Sequence, residues 1–466
     1  MTELWKLPAV ELARRYRDGS ATPMAVAQAC LARLDAVNPL INAVIARRDE
    51  GFLAEAAAAT RRFEQGTPLS AVDGIPVTVK DSLYVAGLPT TCGTAALRDH
   101  RPGHDEFAAA RARTAGMPIL GKTNVPEFAN DGYTANPLFG VTGNPWAPAL
   151  TPGGSSGGAV AAVAAGIAPL AIAQDGGGSI RRPASHTGLV GLKPSLSAWP
   201  REHTLPGLLL DFDVIGPVAR TVADARLLFD ALRGPAAIDR SSLAAAWAAA
   251  QPRPAGPLRV LYVERLNGNP LDRQIAASVA AAIDRIATLG HHVETGELPL
   301  PVGFLVEAWP QIGQVGLAAM FDRHPEWEAQ ASPRYRELAE AGRRVPGPRV
   351  WQIAEFVRQL RHDAAVLLDR YDVIVTPAAA ALPWPAHEAY PPRIDGQEVG
   401  PRGHAVYTGW VNAAGLPGLA LPCAPSAEGL PIGLQLIGGY GRDDLLLDLG
   451  AACEAAAPWA HRWPAL

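Results

Sequence analysis

PGGSSGGAVAAVAAGIAPLAIAQDGGGSIRRPASHTGLVGLKP, residues 152–194, is the stretch on which the fold turns. It opens on a glycine-rich turn around Ser155 and continues as an apolar, helix-like run over 159–165. It then passes through Pro169-Leu-Ala-Ile-Ala173 as a short strand and enters a second glycine-rich turn, Gln174-Asp-Gly-Gly-Gly-Ser179. Helix, strand and polar loop in that order is the pattern of an α/β sheet, with loops at the strand ends. The alternation recurs on both sides. Upstream, Ile75-Pro-Val-Thr-Val79 is a β-branched run that stops at Lys80-Asp81, and Met117-Pro-Ile-Leu120 follows a helical segment over 105–115 and precedes Gly121-Lys-Thr123. Downstream, 258–263 has strand character, and Ile275, Val279, Ile283 and Ile286 trace one helix face. Residues 371–376 form a buried strand before a proline-rich loop, 377–392. The interval 301–370 is mainly helical, and 241–257, rich in Ala and Pro, reads as a surface excursion or sub-domain boundary. Near the N-terminus Ser20-Ala-Thr-Pro-Met24 is a helix start. Val26, Cys30, Leu34 and Val37 supply its apolar face, and Asn38-Pro39 is expected to end it.

Composition narrows the function classes. The chain has 466 residues, 48% hydrophobic and 18% charged, which is ample material for a large core. With 46 Gly and 43 Pro it stays below the roughly 25–30% content of low-complexity disorder. A net charge of −4 and basic runs no longer than pairs such as Arg14-Arg15, Arg47-Arg48 and Arg181-Arg182 argue against a nucleic-acid partner. The 4 cysteines, Cys30, Cys92, Cys423 and Cys453, form no CxxC pair, as in a reducing compartment. Glu3, Glu11 and Asp18 break up any signal-like apolar start, and the longest apolar stretch, 159–173, contains Pro169 and falls short of the roughly 20 residues a bilayer requires. The expectation is a cytoplasmic protein with no membrane partner. His291-His292 lies in no metal-ligand spacing, so neither metal nor cofactor is expected.

Glycines around Ser155 and Ser179 allow backbone N–H groups to approach a ligand closely. Consecutive N–H groups of Gly176, Gly177, Gly178 and Ser179 suit a developing oxyanion beside the Ser179 hydroxyl. A serine hydroxyl needs a base. His186 and His203 are near in sequence but fall in no triad pattern. Lys80, at a strand end, is the better base once neutral, which requires its pKa to fall from about 10.4 by roughly three units, about 4 kcal/mol. GGSSGG lacks the Gly-Lys-[Ser/Thr] of a phosphate loop, and Arg181 stands where a GxSxG elbow has its second glycine. Asp175 and Arg181 read as structural, paired or holding the loop.

Together, GGSSGG, the 24-position separation of Ser155 and Ser179, DGGGSIRRPA and GLVGLKP resemble the signature of the amidase signature family. Gly74-Ile-Pro-Val-Thr-Val-Lys80-Asp81 is similar to the family's lysine segment, and Gly121-Lys-Thr-Asn-Val-Pro-Glu-Phe128 to its next block. Later blocks are matched by Phe212-Asp-Val-Ile-Gly-Pro-Val-Ala-Arg-Thr-Val-Ala-Asp224 and by Gly415-Leu-Pro417 through Gly433-Leu-Gln-Leu436. The chain departs from the pattern at Gln174, Gly176 and Ala159, none of them a triad position.

The resemblance implies Ser179 as acyl-forming nucleophile, Ser155 as a bridging serine held by a cis peptide, and Lys80 as terminal base, with Gly176, Gly177 and Gly178 as oxyanion hole. It implies a single large α/β domain over 1–466, a mixed twisted sheet flanked by helices. Its parts are an N-terminal helical part (1–70), a signature core (71–240), a variable, largely helical region (241–370) and the C-terminal part of the core (371–466). The implied activity is hydrolysis of a small or medium amide, a small-molecule substrate, to carboxylate plus ammonia or amine, with a homodimer as the common assembly. Two alternatives stand beside it: a hydrolase of a urea-like compound such as an allophanate or biuret derivative, and the glutaminase subunit of a tRNA-dependent amidotransferase. A urea-type site needs an anchor for a carboxylate, for which Arg336, Arg402 or Arg442 are candidates. Trp309, Trp327, Trp351, Trp384 and Trp410 are expected in the scaffold, with one or two lining the cleft.

Overall fold

The computed structural model describes residues 3–202, 205 and 207–466. Its centre is one mixed sheet of 11 strands. In chain order these are β1 (Val44–Arg47), β2 (Val77–Lys80), β3 (Ile119–Thr123), β4 (Leu170–Asp175), β5 (Val190–Lys193), β6 (Val214–Ala219), β7 (Arg259–Tyr262), β8 (His292–Thr295), β9 (Val373–Pro377), β10 (Gly418–Pro422) and β11 (Gly433–Gly438). Across the sheet they run β1-β3-β2-β4-β6-β5-β10-β11-β9-β7-β8. β2 is parallel to both β3 and β4, and β9, β7 and β8 are parallel to one another. The remaining neighbours are antiparallel. Each of the four stretches distinguished in the sequence contributes at least one strand to this sheet.

Side-chain size explains how tightly the middle is built. Every residue of β4 is buried. Leu170 and Ile172 enter the main core, whereas Ala171 and Ala173 pack in a smaller cluster with Ala159, Val160, Val163 and Ala164. The alternation is the period of two of a strand covered on both faces. Small side chains on one of those faces let the helix Gly157–Ala164, buried at every position, lie close against the strands.

Two sequence expectations are corrected. The helix that starts at Pro23 spans Pro23–Ile41, behind a shorter one at Ala9–Asp18, and passes through Pro39. Proline so near a helix end removes a single hydrogen bond. Asn38 secures the exit: its carbonyl accepts from Asn42 N–H at 2.7 Å, and its Oδ1 accepts from the N–H groups of Ala43 and Val44, each at 2.9 Å. The N-terminal part is not wholly helical, because β1 pairs with β3 at the sheet edge. The Ala-rich excursion contains a regular helix, Ser241–Ala249, with Leu243 and Trp247 exposed. No helix among the described residues is long and apolar enough to cross a membrane.

Candidate active site

Lys80 is the last residue of β2, and Gln174 and Asp175 are the last of β4. The two strands are parallel, with Val79 opposite Ile172, so their carboxyl ends lie side by side. This is the usual place for a site in an α/β sheet. Lys80 Nζ donates to the Gln174 carbonyl at 3.2 Å. Ser155 and Ser156 immediately precede the helix Gly157–Ala164 and face the same strand end. Ser156 Oγ donates to the Gln174 carbonyl at 2.9 Å, and Ser156 N–H to the Ser179 carbonyl at 3.2 Å. Lys80 Nζ donates to Ser155 Oγ at 2.8 Å. The Gly154–Ser155 peptide is cis. Lys80, Ser155 and Ser179 line one cavity of about 740 Å³. Lys80 and Ser155 are buried, and Ser179 is the half-buried member.

Burial drives the Lys80 amine down to about 7, against the opposing negative charges of Asp213 and Asp175. Among the described residues no carboxylate lies within ion-pair distance of Lys80. Its partners are a hydroxyl and a carbonyl, which accept from the neutral amine as well as from the ammonium. A lowered pKa does not by itself identify a base here, because Lys193 is also pushed down to about 7 by burial. Lys193 donates to the Pro194 carbonyl and does not border the cavity. Geometry distinguishes the two.

The loop carrying Ser179 is wound around the Asp175 carboxylate, which accepts from the N–H groups of Gly178 at 2.6 Å and Ile180 at 3.0 Å. It also pairs with the buried Arg181 guanidinium, which reaches the Thr408 carbonyl and the side chains of Asn412 and Gln435. Arg181 and these N–H groups hold the Asp175 carboxyl well below the usual range. The Asp175–Arg181 pair is therefore structural, as its position suggested. One expected oxyanion donor changes status: Gly178 N–H is already bonded to Asp175. The N–H groups of Gly176, Gly177 and Ser179 have no acceptor among the described residues, and all three residues border the cavity. Gly178 has φ +114°, and a Cβ there would meet Thr408 Oγ1 at 2.2 Å. A Cβ on Gly177 would lie 2.5 Å from Trp309 Cζ2. Glycine is required at both.

Several groups around these residues had no local signal. Arg182, marked in the sequence only as half of a basic pair, donates to the carbonyls of Gly177 at 2.9 Å and Gly154 at 3.3 Å, tying the two serine loops together. Gln174 accepts from Ser82 Oγ through Oε1 at 2.6 Å, so this departure from the family pattern anchors the side of the cavity beneath the loop. Of the five tryptophans, Trp309 lines the cavity, and Trp384 and Trp410 are buried. Trp351 is 65% exposed, contrary to its expected place in the scaffold. Of the three candidate arginines only Arg402 reaches the cavity. Arg336 is exposed on the helix Pro333–Arg343, and Arg442 donates to the Gln251 carbonyl. His186 is held neutral by burial, which pushes it down to about 4, and contacts the Ala381 carbonyl. His203 lies outside the described residues. All four cysteines are free, and no cluster able to hold a metal ion occurs among the described residues.

Known proteins resemble this chain along nearly its whole length. Residues 25–447 match the family model described as Amidase. An acylamidase from Rhodococcus erythropolis is 34% identical over 474 residues, covering 100% of this chain and 99% of the relative. A glutamyl-tRNA(Gln) amidotransferase subunit from a Picosynechococcus species is 33% identical over 468 residues, 93% of this chain and 95% of the relative. Among solved structures, that of a 6-aminohexanoate cyclic dimer hydrolase complexed with substrate superposes with a TM-score of 0.87 at 29% identity, covering 99% of both chains.

Proposed function

This chain belongs to the amidase signature family and is an amide-cleaving hydrolase, and we propose that Ser179 is its nucleophile, Ser155 its proton relay and Lys80 its terminal base. The observation that carries this reading is the 2.8 Å contact between Lys80 Nζ and Ser155 Oγ, made by a buried lysine at the edge of the cavity that Ser179 lines. Ser179 Oγ attacks the amide carbonyl carbon as its proton moves to Ser155 Oγ, while the Ser155 proton moves to the Lys80 lone pair. The N–H groups of Gly176, Gly177 and Ser179 receive the oxyanion. On collapse the carbon–nitrogen bond breaks, and the proton held by Lys80 returns through Ser155 to the departing nitrogen. Water then attacks the acyl-enzyme through the same relay and regenerates Ser179. Compact preorganised donors of this kind supply about 3–4 kcal/mol each to such reactions.

A cavity of about 740 Å³ walled by Phe128, Leu208, Leu209, Val306 and Trp309 suits a small or medium amide with an apolar portion. We place the reaction in the cytoplasm, in keeping with four free cysteines, and take the full 1–466 stretch as one catalytic domain whose assembly to test is a homodimer. The likeness to an amidotransferase subunit favours a second reading, a glutaminase that works with partner subunits. Ammonia or amine release from glutamine, aliphatic amides, benzamide, indole-3-acetamide, an anilide and biuret decides between them, with Ser179→Ala as control. Turnover of apolar amides that vanishes in the control supports the free-standing amidase. Preference for glutamine supports the second reading, and preference for biuret the urea-type alternative.

A further inference from the structure

Four arginines border the cavity beside Ser179, and three of them are engaged. Arg182 braces the two serine loops through their carbonyls. Arg201 faces Asp213, and Arg334 grips Asp131 with two hydrogen bonds of 2.9 and 2.8 Å. Arg402 differs. Among the described residues no hydrogen bond or ion pair holds its guanidinium, which lies over the Trp309 ring, 4.7 Å from the ring centroid. Trp309 in turn packs on Gly177 of the nucleophile loop. The guanidinium is thus stationed one indole ring from the loop that carries Ser179, and no acceptor among the described residues takes its five donors.

The balance of charge around the cavity points the same way. The carboxylates of Asp213 and Asp131 face Arg201 and Arg334, and Glu398 pairs with Arg393 outside. Among the described residues Arg182 and Arg402 have no carboxylate within ion-pair distance; Arg182 directs its donors to carbonyls, and Arg402 feels only at longer range the Asp131 carboxylate that Arg334 already holds. Burial and the charge of Arg182 push Arg402 down to about 9, against the opposing charge of Asp131, which leaves it cationic at neutral pH. A half-buried cation with no ion-pair partner is costly, and stacking on an indole offsets only part of that cost. The missing partner is a planar group with two acceptor oxygens.

Building on the assignment of Ser179 as nucleophile, we propose that Arg402 is a specificity-determining residue that selects amide substrates carrying a carboxylate. The carboxylate pairs with the guanidinium, the apolar middle of the molecule lies along Trp309, Leu208 and Leu209, and the amide carbonyl reaches Ser179. The carboxylate has two possible locations in such a substrate: the far end of the acyl chain, as in a monoamide of a dicarboxylic acid, or the amine side, as in an N-acyl amino acid.

The test compares kcat/KM for amides of graded chain length with the carboxylate on either side, each against its isosteric isopropyl analogue. Wild type is expected to prefer the acid on at least one side. In Arg402→Gln the acid-to-isopropyl ratio falls about ten- to a hundredfold, and Arg402→Lys restores part of it, because a point charge replaces a planar fork. A wild-type ratio at or below unity on both sides overturns the proposal, as does a ratio unchanged in Arg402→Gln. Should that variant fail to fold, inhibition of the wild type decides. A chain-matched dicarboxylate binding more tightly than its mono-isopropyl analogue supports the assignment, and equal binding overturns it. Failure of the nucleophile assignment is read separately, as turnover that survives in Ser179→Ala.

Discussion

A base that is a lysine makes the reaction answer to pH in a direction the structure fixes. Burial lowers Lys80 from its ordinary 10.5 to about 7, and only the neutral amine accepts the Ser155 proton. kcat/KM is therefore expected to rise with pH and level off above about 7, falling to about a tenth of the plateau one unit below and about a hundredth two units below. The same shift has a stability consequence. Between about 7 and 10.5 the unfolded chain holds the proton that folded Lys80 has lost, so this residue's contribution becomes more favourable as pH rises through that window. At pH 7 its deprotonation and burial cost about 4 kcal/mol. Lys80→Met removes that cost while leaving Ser155 Oγ and one lone pair of the Gln174 carbonyl without the amine, a loss of about 2 kcal/mol. The variant is expected to be inactive yet about 2 kcal/mol more stable than the wild type near neutral pH. Initial rates of ammonia release at low substrate from pH 5 to 11, with urea unfolding of both proteins, supply the two readouts. A flat profile, an inflection near 10, or an active Lys80→Met variant refutes the reasoning.

Two further substitutions probe the loop. Asp175→Asn leaves the buried Arg181 without its counter-charge and is expected to cost about 3–5 kcal/mol, read as a lower urea midpoint, with turnover lost alongside. Gly177→Ala brings a methyl group 2.5 Å from Trp309 Cζ2 and is expected to cost about 1–3 kcal/mol and to reduce kcat by displacing an oxyanion donor. Trp309→Leu in the same chain is expected to return part of the stability, measured by thermal unfolding.

What the sequence disclosed follows from where the determinants lie. Ser155 and Ser179 sit in turns whose glycines mark the backbone locally, and Lys80 closes a β-branched run, so each has a signal within a few residues. That the three border one cavity depends on two neighbouring parallel strands ending together and on the helix start that brings Ser155 to the same end. Gly178 illustrates the limit of such reading. In sequence its N–H is equivalent to those of Gly176 and Gly177, and only the fold turns the Asp175 carboxylate back on it. The cavity wall was not legible for a different reason. Trp309 and Arg402 arrive from more than a hundred residues away, one from the helical region and one from the loop after β9, and their places are set by long-range packing. β1, four residues at a sheet edge between two helices, is too short to show a strand period, and Pro39 misleads because Asn38 caps the helix that proline was expected to stop.

The most direct test of the central claim is to look for the acyl group itself. Wild-type protein is mixed with a slowly deacylating anilide, quenched in acid during the first turnover, and examined by intact-mass and peptide mass spectrometry. The account predicts a mass increase equal to the acyl group, located on the peptide carrying Ser179 and absent from Ser179→Ala. An adduct on Ser155, or full turnover by Ser179→Ala, would contradict it.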